Sequence, residues 1–252
     1  STNYPQSSHK TLQDTEHNYV LIDNLKDATA LCGNLLTFSI VAFDTETTGI
    51  DAMSAEMVGM SFAIEGGRAW YVAVPENQAE AQEFVDAFRP FFENEGQIKV
   101  GQNLKYDLTI LSHYGVEVKG ELFDTMLAHY VVEPEQRHNM DHLAETYLHY
   151  RTIHIEELIG TGRQQKNMRD LAPSEICDYA CEDADVTLRL YPILREKMAE
   201  CDVTDVFSKI EMPLMPVLAR IEQNGVRLDT EALQQTGDDF RARLQTLEEE
   251  VY

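Results

Sequence analysis

Basic side chains are scarce in this sequence. Its 20 Lys and Arg residues accompany 44 Asp and Glu residues, so the formal net charge at pH 7 is −24. Because nucleic acid is a polyanion, this imbalance argues against a protein that grips nucleic acid with its whole surface. It leaves two alternatives open: a local site that uses metal ions and a few basic side chains, and a solubilising surface with no such role.

Long apolar runs and closely paired cysteines are also missing. No run of ~18 apolar residues occurs, so the sequence predicts no membrane-spanning helix. The N-terminus lacks the basic-then-apolar pattern of a signal peptide. The four cysteines include no C-x-x-C pair, which favours reduced thiols in a cytoplasmic protein.

Two acidic residues close a predicted strand near the start of the chain. The apolar run 40–43 is rich in strand formers, and Asp44 and Glu46 lie at its carboxyl end. Alternate side chains of a strand share a face, so both carboxylates point to the side where open α/β sheets bind ligands. Two such charges ~4 Å apart repel by about 4 kcal/mol at an effective dielectric of ~20, which favours a cation between them. The alternative is a solvated strand end with two unrelated acids.

Hydrophobic periodicity predicts a mixed sheet flanked by helices, an α/β fold, followed by a helical C-terminal segment. Strands are predicted at 19–22, 40–46, 57–64, 69–74, 98–100 and 226–228. Helices are predicted at 25–36, 79–93, 103–113, 124–131, 141–150 and 206–223, and from 174 and 230 onward. We interpret residues 1–18 as a disordered lead-in, 19–201 as one domain and 202–252 as the start of another. The missing initiator Met and the helix still running at Tyr252 favour a piece of a longer protein.

Two further pairs of polar residues have helical spacing. Asn103 and Asp107 are four residues apart, as are Tyr179 and Asp183, so each pair is expected to share a helix face. The candidate metal ligands are therefore the carboxylates Asp44, Glu46, Asp107 and Asp183, joined by the Tyr179 phenol.

Four oxygen donors suit hard cations such as Mg²⁺ or Mn²⁺. Two such ions ~3.5–4 Å apart form the phosphoryl-transfer clamp of many nucleases. Glu46 and Tyr179 are placed to hydrogen-bond an attacking water. Because tyrosine is a poor base at neutral pH, we assign Tyr179 to positioning first and to proton transfer second.

These motifs resemble a known family. The segments Phe43–Glu46, Asn103–Asp107 and Tyr179–Asp183 are similar to the three motifs of the Asp-Glu-Asp-Asp-Tyr 3′–5′ exonucleases, whose fold is ribonuclease H-like. Further matches, to the proofreading domains of the bacterial DNA polymerase I family, are Val100–Asp107, Phe123–Leu127, Tyr179–Thr187, Glu211–Leu218 and Asn224–Asp229. The resemblance implies a monomeric, metal-dependent exonuclease that removes nucleotides from DNA 3′ ends. It implies two divalent ions, Mg²⁺ or Mn²⁺, with Zn²⁺ as an alternative at one site.

The resemblance also implies partners. They are a single-stranded DNA 3′ end and a polymerase domain of the same chain, whose truncated start would be residues 202–252. The implied DNA contacts are Thr47, Ile50, Gln102, Asn103, Tyr106, Arg137 and Met140. Where the family often carries an aromatic residue, this sequence has Ile155.

Other readings remain open. A free-standing exoribonuclease of the same superfamily would share the motifs, and a non-catalytic structural module would show no metal-dependent hydrolysis. His138 and His142 have the spacing of a zinc pair, although no third ligand lies at a suitable spacing, so surface or core histidines are the favoured interpretation. The loop 160–169 carries Arg163, Lys166 and Arg169, which either meet substrate phosphates or are simply solvated.

Overall fold

One sheet organises the structure, a computed structural model that describes residues 9–162 and 165–251. Its strands are β1 (Asn18–Ile22), β2 (Ile40–Thr47), β3 (Met57–Glu65), β4 (Arg68–Ala73), β5 (Ile98–Gly101) and β6 (Glu121–Asp124). Their spatial order is β1-β4-β3-β2-β5-β6. The β2–β3 and β3–β4 pairs are antiparallel, whereas β1–β4, β2–β5 and β5–β6 are parallel. The predicted mixed sheet is confirmed, with β6 as a strand that the periodicity did not indicate.

Helices cover the sheet and continue beyond it. They are α1 (Leu25–Leu35), α2 (Gln78–Phe92), α3 (Leu104–His113), α4 (Thr125–Val132), α5 (Met140–Leu143), α6 (Ile155–Ile159), α7 (Pro173–Glu200), α8 (Thr204–Val206), α9 (Met212–Asn224) and α10 (Thr230–Val251). Wide π-type turns follow α5 at Ala144–Leu148 and α8 at Phe207–Glu211. Within the described residues, no helix is both long enough and apolar enough to span a membrane.

The two faces of the sheet pack differently. On one face, Phe43 and Phe62 contact an aromatic layer from α2 that includes Phe91 and Phe92. On the other face the long helix α7 crosses β3, β4 and β2. Asp44 and Glu46 alternate with Phe43, so they point toward α7 and away from the aromatic layer.

Residues 9–18 correct one expectation. Residues 1–8 lie outside the described part of the chain, but from residue 9 onward the predicted disorder does not hold. Lys10 forms a bridge with Tyr150, Leu12 is buried, and Asn18 begins β1. The polar composition concealed this because two backbone hydrogen bonds, rather than an apolar stripe, anchor the segment: Lys10 N donates to His149 O, and Arg151 N donates to Lys10 O.

The C-terminal part also differs from the prediction. Residues 226–228 form no strand, because a strand needs a partner for its backbone groups and an apolar triplet does not supply one. The first compact unit extends to Arg220, beyond the expected boundary at 201. The reason is that Phe207, Met212 and Met215 are buried in its core. The second unit, 221–252, contains α10, none of whose described residues is buried.

Candidate active site

Three carboxylates converge where β2 faces α7. Asp44 and Glu46 project from β2, and Asp183 projects from α7. Each offers an oxygen atom, and these atoms all lie within 4.8 Å of one another. Glu46 is buried, whereas Asp44 and Asp183 are partly exposed, so the cluster opens to the solvent on one side.

Burial and mutual repulsion dominate the electrostatics of this cluster. Burial raises the pKa of Asp44 to about 7, against the backbone N–H of Thr45, which favours the charged form. Burial and the charge of Asp44 raise the pKa of Glu46 well above its usual range. The pKa of Asp183 is raised by burial first and then by Asp44 and Glu46. The three groups therefore resist being ionised together unless a positive charge joins them.

Asp107 adjoins the cluster but is turned toward another partner. It lies in the first turn of α3 with only 2% of its surface exposed. Its Oδ1 accepts hydrogen bonds from the backbone nitrogen of Thr45 at 3.1 Å and from the Thr45 hydroxyl at 2.5 Å. Burial, followed by the charge of Asp44, raises its pKa. Sequence reasoning missed Thr45, although its place between two acids on β2 was a usable signal.

Asn103 lies just before α3, not on the helix face that its spacing predicted. It is the N-cap, in the left-handed region at φ 62°, a conformation that asparagine tolerates better than most residues. Asp124 holds this turn, because its Oδ1 accepts from Asn103 N and its Oδ2 from Leu104 N. The same carboxylate caps α4 through Met126 N, so one buried side chain fixes the start of two helices.

Tyr179 lies on α7 one turn before Asp183. Burial, and then the charges of Asp183, Glu46 and Asp44, raise the pKa of its phenol well above the ordinary value. A phenol in that setting stays protonated at neutral pH and acts as a hydrogen-bond donor. The direction of this shift favours hydrogen-bond donation over proton abstraction, the order in which the sequence assigns the two roles to Tyr179.

The loop after β2 exposes one large apolar side chain. Ile50 is 99% exposed. Beside it, the Tyr106 hydroxyl donates to Gly49 O at 2.5 Å and makes a short contact with the Thr47 hydroxyl. These hydrogen bonds anchor the turn, while Ile50 itself stays outside the core.

Gln102 links the site to a neighbouring loop. Its Nε2 donates to His138 O at 2.8 Å, and its Oε1 accepts from the Thr125 hydroxyl. Arg137 is exposed and Met140 partly exposed on either side of this link. His138 pairs with His129 rather than with His142, since the Nδ1 atoms of the first two are 2.8 Å apart.

The basic residues of the loop 160–169 differ in their surroundings. Arg163 lies outside the described residues, and Lys166 is exposed. Arg169 turns inward: its Nη1 donates to Val74 O at 2.7 Å, and its Nη2 donates to Met57 O. Ile155, at the start of α6, is 38% exposed.

The residues present fit a hard divalent cation. One oxygen of Glu46, Oε1, is buried without a hydrogen-bond partner among the described residues. Its neighbours Asp44 and Asp183 offer further oxygen donors, the ligand type that Mg²⁺ and Mn²⁺ prefer. Asp107, whose Oδ1 is held by Thr45, lies outside this group of three.

Comparison with known proteins identifies the relatives of this chain. A family model described as 3′–5′ exonuclease matches residues 19–199. DNA polymerase I of Pseudomonas aeruginosa is 41% identical over 224 residues, which is 84% of this chain and 24% of that protein. The chain thus spans about a quarter of the length of this relative.

Solved structures share the fold. The polymerase structure of Pol1 from M. smegmatis with DNA primer-template and dNTP matches with a TM-score of 0.72 and 21% identity, covering 90% of this chain and 36% of that one. Escherichia coli RNase D, an exoribonuclease involved in structured RNA processing, matches with a TM-score of 0.64 and 15% identity, covering 81% and 51%. The fold is therefore ribonuclease H-like, as predicted.

Proposed function

The chain belongs to the 3′–5′ exonuclease family of DNA polymerase I proteins, and from this premise we propose that it removes nucleotides from the 3′ end of single-stranded DNA with the help of two Mg²⁺ or Mn²⁺ ions. One observation carries the proposal. Asp44, Glu46 and Asp183 offer oxygen atoms within 4.8 Å of one another, with Glu46 buried and the two aspartates partly exposed.

Asp44, Glu46 and Asp183 would hold the cations together with Asp107. When bound, divalent ions supply charge stabilisation at the scissile phosphate and at the leaving 3′ oxygen. The protein itself orients the reactants. Tyr179, kept protonated by its surroundings, donates a hydrogen bond to the attacking water, and Glu46 accepts one from it.

The nucleotide-binding part of the proposal rests on the residues around this cluster. Ile50 and Thr47 would pack on the terminal nucleotide, since the turn that carries them is exposed yet fixed by Tyr106. Gln102 and Asn103 lie at the entrance to α3, where the strand would pass. Arg137 and Met140 would contact the next phosphate and base. Zn²⁺ in place of one ion and a monomeric state stay predictions.

We also propose a polymerase domain as the partner within the parent protein. Support comes from the 41% identity with a DNA polymerase I of which this chain covers 24%. Residues 221–252, the second compact unit, would then lead into that domain. The proofreading role of the site belongs to the same proposal.

A 5′-labelled DNA with a 3′ overhang tests the activity. We expect a ladder that shortens from the 3′ end with Mn²⁺ and disappears with a chelator. The matching RNA oligonucleotide separates DNA proofreading from RNA processing, a function favoured only by the fold shared with RNase D. Equal or faster degradation of RNA would contradict the DNA assignment, and no hydrolysis of either substrate would contradict the catalytic proposal.

A further inference from the structure

Ser61 carries a buried hydroxyl group that the proposed mechanism does not use. It lies in the middle of β3, with 0% of its surface exposed. Its Oγ has no hydrogen-bond partner among the described residues. A hydroxyl in this state costs roughly 1–3 kcal/mol, which an alanine of nearly the same size would avoid. The buried hydroxyl is therefore a candidate for a role beyond packing.

The strand register places this hydroxyl beside the metal-binding carboxylates. Ser61 is the direct partner of Asp44 in the antiparallel β2–β3 pair. Side chains at directly opposed positions project to the same face, with Cβ atoms about 4.5–5.5 Å apart. Ser61 and Asp44 thus stand side by side on the face that α7 covers.

The other neighbour of Ser61 is already engaged. Tyr71 opposes Ser61 on the β4 side, and its phenol donates to Val58 O at 3.4 Å. Tyr71 also packs closely on Gly59, where an added Cβ would lie 2.2 Å from its ring. The Tyr71 phenol therefore has its own acceptor, and Asp44 is the carboxylate paired with Ser61 in this row of the sheet.

We propose that Ser61 is a positioning residue of the exonuclease site: rotation about its Cα–Cβ bond directs the hydroxyl to Asp44, where it donates a hydrogen bond and holds the carboxylate in the orientation that binds a divalent cation. This inference rests on the proposed function. A serine suits the task because its hydroxyl changes direction by a single rotation between staggered positions. A donor on one carboxylate oxygen leaves the remaining lone pairs free for the cation, the way outer hydrogen bonds orient metal ligands.

Packing alone offers a competing explanation. Ser61 belongs to a row of small residues on the α7 face of the sheet that includes Ala63 and Gly59. A small side chain at this position would simply let α7 approach closely. That explanation assigns no role to the hydroxyl, so removing it should leave metal binding unchanged.

The Ser61→Ala variant separates the two explanations. Metal affinity is measured from the rise in melting temperature with Mn²⁺ concentration, without substrate. We expect the variant to be as stable as the parent or more stable in chelator. We also expect it to bind Mn²⁺ about tenfold more weakly and to hydrolyse DNA about tenfold more slowly at an unchanged KM. Ser61→Thr retains the hydroxyl and should keep the parental Mn²⁺ affinity.

Ala63→Gly is the matched control, two residues along the same strand on the same face. It should lower the melting temperature, as glycine does in a strand, and leave Mn²⁺ affinity unchanged. If the parent responds to Mn²⁺ and Ser61→Ala matches it in affinity and kcat, the inference is overturned and the proposed function stands. A parent that neither responds to Mn²⁺ nor hydrolyses DNA overturns the proposed function and the inference with it.

Discussion

At the residue scale, Asp44 is the carboxylate whose charge raises the pKa values of the other three acidic residues. Its pKa is raised to about 7 by burial, and its charge raises the pKa values of Glu46, Asp107 and Asp183. Replacing it by asparagine removes one charge from this group. We therefore expect Asp44→Asn to melt at a higher temperature than the parent in chelator at pH 8, while losing hydrolysis by ~1000-fold or more, equivalent to about 4 kcal/mol of transition-state stabilisation.

Calorimetry with and without Mn²⁺ checks this prediction together with the DNA assay. The parent should gain stability with Mn²⁺, and the variant should gain much less. An Asp44→Asn protein that is less stable in chelator, or that retains a tenth of parental turnover, would contradict the assignment of Asp44 as a metal ligand.

The proposed role of Tyr179 in orienting the attacking water can be tested separately from metal binding. Because its phenol stays protonated, we expect Tyr179→Phe to lose about 100-fold in kcat with little change in DNA affinity. Single-turnover hydrolysis and fluorescence anisotropy measure the two quantities. Tyr106→Phe is the matched control, since it removes the hydroxyl that donates to Gly49 O and should raise KM more than it lowers kcat. Loss of DNA binding by Tyr179→Phe would make Tyr179 a structural residue instead.

His129 predicts a pH effect on stability. Burial, followed by the charges of His138 and His142, lowers its pKa to about 4. The unfolded chain binds this proton near pH 6.5 and the folded protein only near pH 4, so this group makes stability fall as the pH falls between those values. Acidification from pH 7 to pH 5 in chelator should therefore destabilise His129→Gln by ~2 kcal/mol less than the parent. Urea unfolding at both pH values checks this, and an equal pH response of the parent and His129→Gln would contradict it.

At the scale of elements, the short turn Met168–Asp170 and the preceding Asn167 are hydrogen-bonded to the sheet near the carboxylate cluster. Arg169 donates to carbonyl groups at the ends of β3 and β4, and Asn167 Nδ2 donates to Thr48 O at 2.8 Å. These contacts hold the chain around Thr47 and Ile50 from outside the carboxylate cluster. In this basic loop, Arg169 thus anchors the structure, whereas Lys166 is exposed.

Arg169→Met should therefore act on stability. Losing charged hydrogen bonds of this kind costs about 1.5–3 kcal/mol each before relaxation, and we expect a net loss of ~2 kcal/mol in the free energy of unfolding. Chemical denaturation measures it, with Lys166→Met as the control that should unfold like the parent. Unchanged stability of Arg169→Met, coupled with weaker DNA binding, would return Arg169 to the phosphate-contacting role.

For the whole molecule, net charge governs how DNA is approached. With a net charge of −24, the protein as a whole repels a polyanion. We expect weak binding of single strands, with log K falling against log salt at a slope no steeper than about −2, the slope for two or three neutralised phosphates on a single strand. Anisotropy titrations in Ca²⁺ from low to moderate salt measure the slope. Arg137→Ala should flatten it by about 1, whereas Lys26→Ala, on α1, should not. A slope steeper than about −5 would contradict a local site.

Local patterns account for most of the element predictions. Strands β1 to β5 and helices α1 to α4 agree with the periodicity because each is set by neighbours within a few residues. The Asp124 cap of α4 was predicted for the same reason. The failures are non-local: residues 9–18 are held by the chain around Tyr150, and 226–228 lacks a partner strand.

The sequence by itself determined the acidic residues, their strand or helix, and the family to which their spacing belongs. Side-chain chemistry and hydrophobic periodicity depend only on residues that are close together in the chain. Tertiary structure alone decided that Asp107 is held by Thr45, that Asp124 also caps α3, and that Ser61 faces Asp44. Those relations depend on strand register and helix packing between residues far apart in the chain, and no local pattern encodes them.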